Sequence, residues 1–274
     1  MNLKIPKRII QTGRSFDLPL LSKAAVANVK LLNPDFDYLF FDDKGVEDFI
    51  NEQFPEYRRI FYSFHMPMYN TSQKYDFFRY LAVYHFGGFY FDLDVFLASS
   101  LSDLLNFDCV FPFEELTISM FLRREYNMDW EIGNYAFGAA AGHPFIYAII
   151  QNCVKAQENP KWPEQMMTSI PRLFHRDFYG FYSTGPGLVT RTLAENPDIG
   201  EQVKVLFPDN VCDSSNWYRF GGFGVHLMEG TWINNKGTLR RRLGAKWMSW
   251  TRKRSLKESL RRGATRSLEF KRKA

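Results

Sequence analysis

The stretch from Lys74 to Val95 constrains the fold more than any other part of the chain. Lys74 to His85 carries Phe77, Phe78, Leu81, Val83 and Tyr84 at helical spacing, Gly87-Gly88 stops that helix, and Phe89-Tyr90-Phe91 follows as a strand without polar alternation. A strand that is apolar at every position needs cover on both faces. The same order of elements occurs twice upstream. Ile5 to Gly13 reads as a short β-branched strand ending at a glycine turn, ahead of a helix over Leu20 to Leu32. Asn33-Pro34-Asp35 then breaks the chain before a strand at Tyr38 to Phe41 and a helix near Val46 to Glu52. Strands alternating with helices predict an α/β fold with a mostly parallel sheet and helices on both faces.

Composition bounds the rest. A chain of 274 residues with 45% hydrophobic and 17% aromatic content buries a substantial core, which excludes general disorder. Cys109, Cys153 and Cys212 are odd in number and lack a C-x-x-C pair, so neither a disulfide framework nor a cysteine zinc site is expected, and a reducing compartment is the simpler reading. The opening Met-Asn-Leu-Lys-Ile-Pro-Lys-Arg has no apolar signal core, and the most apolar stretch, around Tyr80 to Phe91, is interrupted by His85 and two glycines. No targeting or membrane-spanning segment is expected. The net charge of +5 is divided unevenly: residues 236–274 hold fifteen Lys and Arg against Glu258 and Glu269, leaving an acidic body over residues 1–235. The expected organisation is one catalytic domain at 1–235 and a basic extension at 236–274 that contacts an anionic surface.

The chemistry-bearing residues cluster in the same stretch. Asp76 and Arg79 stand three apart and share one helix face. Asp92 and Asp94 are expected on one side of an extended strand end, where the side-chain period is two. Two convergent carboxylates suit Mg²⁺ or Mn²⁺ bridging the phosphates of a substrate. In open α/β sheets ligands bind beyond the carboxyl ends of the strands, which is where this pair falls. A D-x-D standing alone reads first as two solvated turn carboxylates, but here that reading leaves the apolar strand, the double glycine and the D-x-x-R pair unexplained.

The string Tyr75-Asp76-Phe77-Phe78-Arg79-Tyr80 to Gly87-Gly88-Phe89-Tyr90-Phe91-Asp92-Leu93-Asp94 resembles the D-x-x-R-Y…G-G-x-Y-x-D-x-D block of the DXD-motif sugar transferases, glycosyltransferase family 32, which includes initiating mannosyltransferases and capsular-polysaccharide enzymes. Ile5-Pro6-Lys7, Gly142-His143-Pro144 and His226 to Trp232 are similar to that family's first strand, its central G-H-P segment and its closing H-x-x-x-x-S-W, in the same order. The resemblance implies a GT-A-type Rossmann-like fold, a nucleotide-sugar donor, Mn²⁺ or Mg²⁺, and retention of anomeric configuration. Position by position it implies Asp92 and Asp94 as metal ligands, the second the more direct, with His226 near the metal or diphosphate. It places Asp76 and Arg79 at the donor sugar, Asn134 at the acceptor, Thr231 at a phosphate and Trp232 over the donor. Where the family's first strand often ends in tryptophan this chain has Gly13, and Thr231 replaces the usual serine while keeping a hydroxyl.

The expected activity is metal-dependent transfer of a hexose, from UDP-galactose or UDP-glucose ahead of GDP-mannose, onto a lipid-linked or polymeric envelope glycan on the cytoplasmic face of a membrane. A protein acceptor is the first alternative. Nucleic-acid binding through the Arg-rich tail is the second, and the acidic body argues against it. Glu114 and Glu115 read either as carboxylates over the sugar or, in preference, as rim groups; His143 reads as a helix start, and Gly185-Pro186-Gly187 as a plain loop. In the tail, Leu239, Leu243, Trp247 and Trp250 share a helical face amid basic residues, with Leu256 and Leu260 repeating the spacing, as in a helix lying on an anionic membrane.

Overall fold

The computed structural model describes residues 3–64, 72–228 and 239–262, apart from the side chains of 72, 239–245, 248 and 259–262. In chain order the elements are β1 (Arg8–Thr12), α1 (Leu20–Leu32), β2 (Asp37–Phe41), α2 (Asp43–Gln53), α3 (Arg58–Ser63), α4 (Ser72–Phe86), β3 (Gly88–Phe91), β4 (Val95–Leu97), β5 (Cys109–Leu116), α5 (Met120–Tyr126), β6 (Trp130–Ile132), β7 (Ala136–Ala139), α6 (Pro144–Glu158), α7 (Lys161–Glu164), α8 (His175–Ser183), α9 (Pro186–Glu195), α10 (Pro197–Gly200), β8 (Val203–Leu206), β9 (Arg219–Phe220), β10 (Gly224–His226) and α11 (Leu239–Arg262).

The main sheet runs β2-β1-β3-β7-β5-β6, with β8 also paired to β5. The β1–β2, β1–β3 and β5–β8 ladders are parallel, whereas β7 is antiparallel to both β3 and β5, and β6 to β5. Five strands therefore share one direction, and the fold class read from the sequence is the one observed. Its two cores follow from strand alternation. Ile10, Tyr90, Phe111 and Phe137 face helices α2, α4, α6 and α9, while Ile9, Phe89, Phe91 and Val110 face α1 and the second sheet. That second sheet is small and antiparallel, ordered β4-β10-β9.

Two features place the site. Helix α4 is buried from Asp76 to Val83, with Phe77, Phe78, Tyr80, Leu81, Ala82 and Val83 at 0% exposure, so the polar side chains it carries inward are closely packed. It ends where Gly87 adopts φ +63° and donates its N–H to Val83 O at 2.9 Å; Gly88 follows at φ +103°. A Cβ on Gly88 would stand 2.6 Å from Arg8 O, so only glycine lets β3 approach β1 here.

Candidate active site

β3 ends at Phe91, and the two acids are carried by a turn rather than by an extended strand end. Val95 N–H donates to Asp92 O at 3.2 Å, closing the turn over Asp92-Leu93-Asp94, while Asp92 N–H donates to Tyr135 O at 2.8 Å. The expected convergence of the two carboxylates is present, but turn geometry produces it in place of period-two alternation.

His226 reaches this turn by strand pairing. β10 is antiparallel to β4 with His226 opposite Val95, and Leu227 N–H donates to Asp94 O at 3.0 Å. His226 Nε2 consequently lies 3.2 Å from Asp94 Oδ1, and its ring stacks on Tyr135 with centroids 4.3 Å apart. One ligand atom each from Asp92, Asp94 and His226 fall within 4.8 Å of one another, and all three residues are half-buried. His226 Nδ1 is buried without a hydrogen-bond partner. Two carboxylate oxygens and an imidazole nitrogen form a donor set that accommodates a divalent cation such as Mn²⁺.

Behind this triad lies a buried polar network. Arg79 Nη2 is 3.0 Å from Asp92 Oδ1 and 3.3 Å from Asp76 Oδ1; Nη1 donates to Asn134 O at 2.7 Å, and the guanidinium covers the Tyr90 ring at 4.7 Å. Asp76 accepts from Asn134 Nδ2 at 3.0 Å on one oxygen and from Thr184 Oγ1 at 2.9 Å on the other. Asn134 Nδ2 also donates to Tyr80 Oη, whose hydroxyl donates to Thr184 O. Tyr90 Oη donates to Asp92 Oδ1 at 3.0 Å. Burial raises the pKa of Asp76, opposed by Arg79, Thr184 and Asn134. It raises that of Asp92 as well, opposed by Arg79 and reinforced by the like charge of Asp94. Burial works against the charge of Arg79, but Asp92, Tyr90 and Asp76 outweigh it and hold the guanidinium protonated.

An open cleft of about 470 Å³ adjoins the turn, lined by Phe16, Leu18, Lys23, Val26, Tyr38 and Phe40. Leu93, between the two acids, closes on it: a Cβ at Gly13 would meet Leu93, Leu18 and Phe40 at 3.0–3.1 Å. The Phe16 and Phe40 rings lie 5.2 Å apart along its wall.

The structure thus brings Asp76, Arg79, Asp92, Asp94, Asn134 and His226 together at one site; Thr231 and Trp232 lie outside the described residues. Glu114 and Glu115 are not rim groups. They are 8% and 3% exposed on β5, and burial drives the Glu114 pKa well above the usual carboxylate range. The residue ahead of the loop-like Gly185-Pro186-Gly187 has a larger part than expected, since Thr184 holds Asp76 while Pro186 opens α9. His143 caps α6, accepting from Phe145 N–H. Tyr90, Tyr135 and Thr184 were given no role from the sequence, although Tyr90 lies within the G-G-x-Y-x-D string and Thr184 opens a segment similar to the family's T-G-P turn.

The tail helix also departs from expectation. Trp247 packs against Phe174 and Phe178, and Leu256 against the main core, whereas Trp250 is 57% exposed, so the apolar stripe is split between the body and solvent. The side chains of Leu239, Leu243 and Leu260 lie outside those described. Among the described residues no helix is long and apolar enough to cross a membrane.

Residues 20–111 match the family model described as "Glycosyltransferase sugar-binding region containing DXD motif". The chain is 28% identical over 182 residues to inositol phosphoceramide mannosyltransferase 3 of Schizosaccharomyces pombe, covering 66% of this chain and 43% of that protein. It is 27% identical to inositol phosphoceramide mannosyltransferase 1 of the same organism, covering 66% and 53%, and 28% identical to mannosyl phosphorylinositol ceramide synthase SUR1 of Saccharomyces cerevisiae, covering 54% and 34%. The chain therefore spans about half the length, or less, of these curated relatives. Among solved structures it is similar to the PaToxG glycosyltransferase (14% identity, TM-score 0.44, 73% of this chain and 76% of that one). It is similar also to the UDP-bound glycosyltransferase domain of the YGT toxin (9% identity, TM-score 0.49, 74% and 80%). Asp92-Leu93-Asp94 lies inside the matched region with the buried Asp76–Arg79 pair behind it, so residues 20–111 are similar to the DXD-containing sugar-binding region of glycosyltransferases.

Proposed function

We propose that this protein is a metal-dependent, retaining hexosyltransferase that moves a hexose from a nucleoside diphosphate sugar onto a glycolipid or lipid-linked glycan. The observation that carries the reading is the meeting of Asp92, Asp94 and His226 beside Arg79 at the carboxyl end of β3. Departure of a nucleoside diphosphate concentrates negative charge on its phosphate oxygens and positive charge on the sugar ring. Asp94, His226 and Asp92 would hold a divalent cation, whose positive charge would offset that building on the departing diphosphate, and the mixed oxygen and nitrogen set favours Mn²⁺ over Mg²⁺. Asp76 and Arg79 meet the sugar from the floor of the site, Arg79 also fixing the Asp92 carboxylate as a forked cation. Asn134, bonded to Asp76, stands on the acceptor side. The cleft between Phe16 and Phe40 seats the base, taking the place of the family's tryptophan at Gly13.

The names of the curated relatives, mannosyltransferases acting in inositol phosphoceramide synthesis, favour GDP-mannose as donor over the UDP-galactose and UDP-glucose preferred from sequence, and favour a glycolipid over a protein acceptor. The outward face of α11, with Lys246, Trp250, Lys253, Arg254 and Lys257 exposed, supports attachment to the anionic cytoplasmic face of a membrane. Incubating the protein and Mn²⁺ with labelled GDP-mannose, UDP-glucose or UDP-galactose, against lipid extracts and against lysate proteins, tests the reading. Label entering the lipid fraction from one donor, abolished by EDTA, is expected. Label in protein alone moves the acceptor, and neither transfer nor donor hydrolysis with any donor overturns the assignment.

A further inference from the structure

Between the tail helix and the acid turn runs a chain of short contacts that the proposed chemistry does not itself require. Arg252 Nε on α11 lies 2.6 Å from Glu115 Oε2, and Tyr218 Oη donates to the same oxygen at 2.6 Å. The Arg252 guanidinium also covers the Tyr218 ring at 5.4 Å. Tyr218 O in turn accepts the N–H of His226 at 2.9 Å, and His226 Nε2 faces Asp94. Four residues thus link the C-terminal helix to the cation triad.

A second observation shows that Tyr218 is held in place. Its backbone has φ +60°, the left-handed region, which a bulky non-glycine residue occupies only where its surroundings impose it. The hydrogen bond to Glu115 and the Arg252 cover supply that constraint, and both are shielded: Tyr218 is 8% exposed and Glu115 3%. Helix α11 is fastened beside them by Arg123 Nη1 on Glu258 at 2.8 Å and by Ser255 Oγ donating to Thr117 O at 3.2 Å. Tyr218, through its carbonyl, thus joins the docked α11 to the strand that carries His226, alongside the pairing of that strand with β4.

We propose that Arg252, Glu115 and Tyr218 are positioning residues through which the docked C-terminal helix sets the placement of His226 and hence the affinity of the triad for a divalent cation. The proposal rests on the cation reading above and adds a dependence on residues remote from the substrate. Partners one shell removed from a metal commonly tune affinity by about 10–100-fold.

The test uses the full chain with Arg252→Gln, Arg252→Lys, Tyr218→Phe and, as control, Lys253→Gln on the outward face of the same helix. Mn²⁺ affinity is read by titration calorimetry, and hydrogen exchange of the His226 amide is read without metal. Arg252→Gln is expected to raise the Mn²⁺ dissociation constant about tenfold. Tyr218→Phe, which removes one hydroxyl, is expected to raise it several-fold, Arg252→Lys less than Arg252→Gln, and the control not at all. His226 amide exchange should accelerate in the same order. Folded Arg252→Gln and Tyr218→Phe proteins that keep parental Mn²⁺ affinity and His226 protection overturn the proposal, even if their melting temperatures fall, since docking alone then explains the contacts. If the unsubstituted chain binds no Mn²⁺, the cation reading falls, and the exchange measurement still decides whether the helix positions His226.

Discussion

Arg79 joins two acids through one atom: its Nη2 lies 3.0 Å from Asp92 Oδ1 and 3.3 Å from Asp76 Oδ1, so a single guanidinium nitrogen ties helix α4 to the acid turn. The Arg79 and Asp76 side chains are 7% and 10% exposed, which makes the cation a condition for keeping the carboxylates charged in the interior.

Arg79→Met should consequently lower stability by about 3–5 kcal/mol, because it leaves buried carboxylates uncompensated. Asp76→Asn in the same background should recover part of that loss. Urea unfolding followed by circular dichroism checks both, and a parental midpoint for Arg79→Met would remove the pair from the account of the fold.

Asp94→Asn should retain the fold while weakening Mn²⁺ binding by about 100-fold or more, since it removes the carboxylate that faces His226. Transfer should fall below detection. Calorimetric titration with Mn²⁺ and with nucleoside diphosphate separates the two losses; intact metal affinity would place the cation elsewhere.

Glu131 is buried, with Oε2 unpartnered, and its pKa is pushed up to about 8 by burial first and then by Glu115. A carboxyl whose folded pKa exceeds its unfolded value binds more protons in the native state. Stability from this group is therefore complete below about pH 4.5 and is lost as pH rises towards 8. Glu131→Gln keeps an acceptor for Thr117 and should flatten the decline, removing a slope of up to about 1.4 kcal/mol per pH unit. Unfolding free energies at pH 5, 6.5 and 8 decide it; parallel pH curves for the two proteins would contradict it.

Gly88→Ala should cost roughly 3 kcal/mol or more, since the new Cβ meets the Arg8 carbonyl, which belongs to a paired strand and cannot turn away. The loss should appear as a lowered melting temperature with reduced soluble yield. A change below about 1 kcal/mol would mean that β1 and β3 can separate without penalty.

On the tail, Trp250→Ala combined with Lys246→Glu and Lys253→Glu should abolish sedimentation with anionic liposomes at low salt and leave stability within about 1 kcal/mol, because these side chains face outward. Undiminished liposome binding, or tight binding to RNA instead, would assign the basic face a different partner.

The local elements were legible in the sequence because they depend on near neighbours. The helix at Leu20–Leu32, the buried run of α4, the stop at Gly87-Gly88 and the shared face of Asp76 and Arg79 follow from periodicity and from residues that admit few backbone conformations. Asp92 and Asp94 belonged to that set by position, though the turn that brings them together did not. What only the tertiary structure decided are the meetings between distant segments. The reversal of β7 between β3 and β5 carries Asn134 to Asp76, the opening of α9 carries Thr184 there, and β10 pairing with β4 sets His226 against Asp94. Burial of Glu115 under Arg252 is of the same kind. Hydrophobic alternation specifies which face of a strand is covered but not which strand lies beside it, and the partner of a buried charge is chosen by the pairing that packs both cores together.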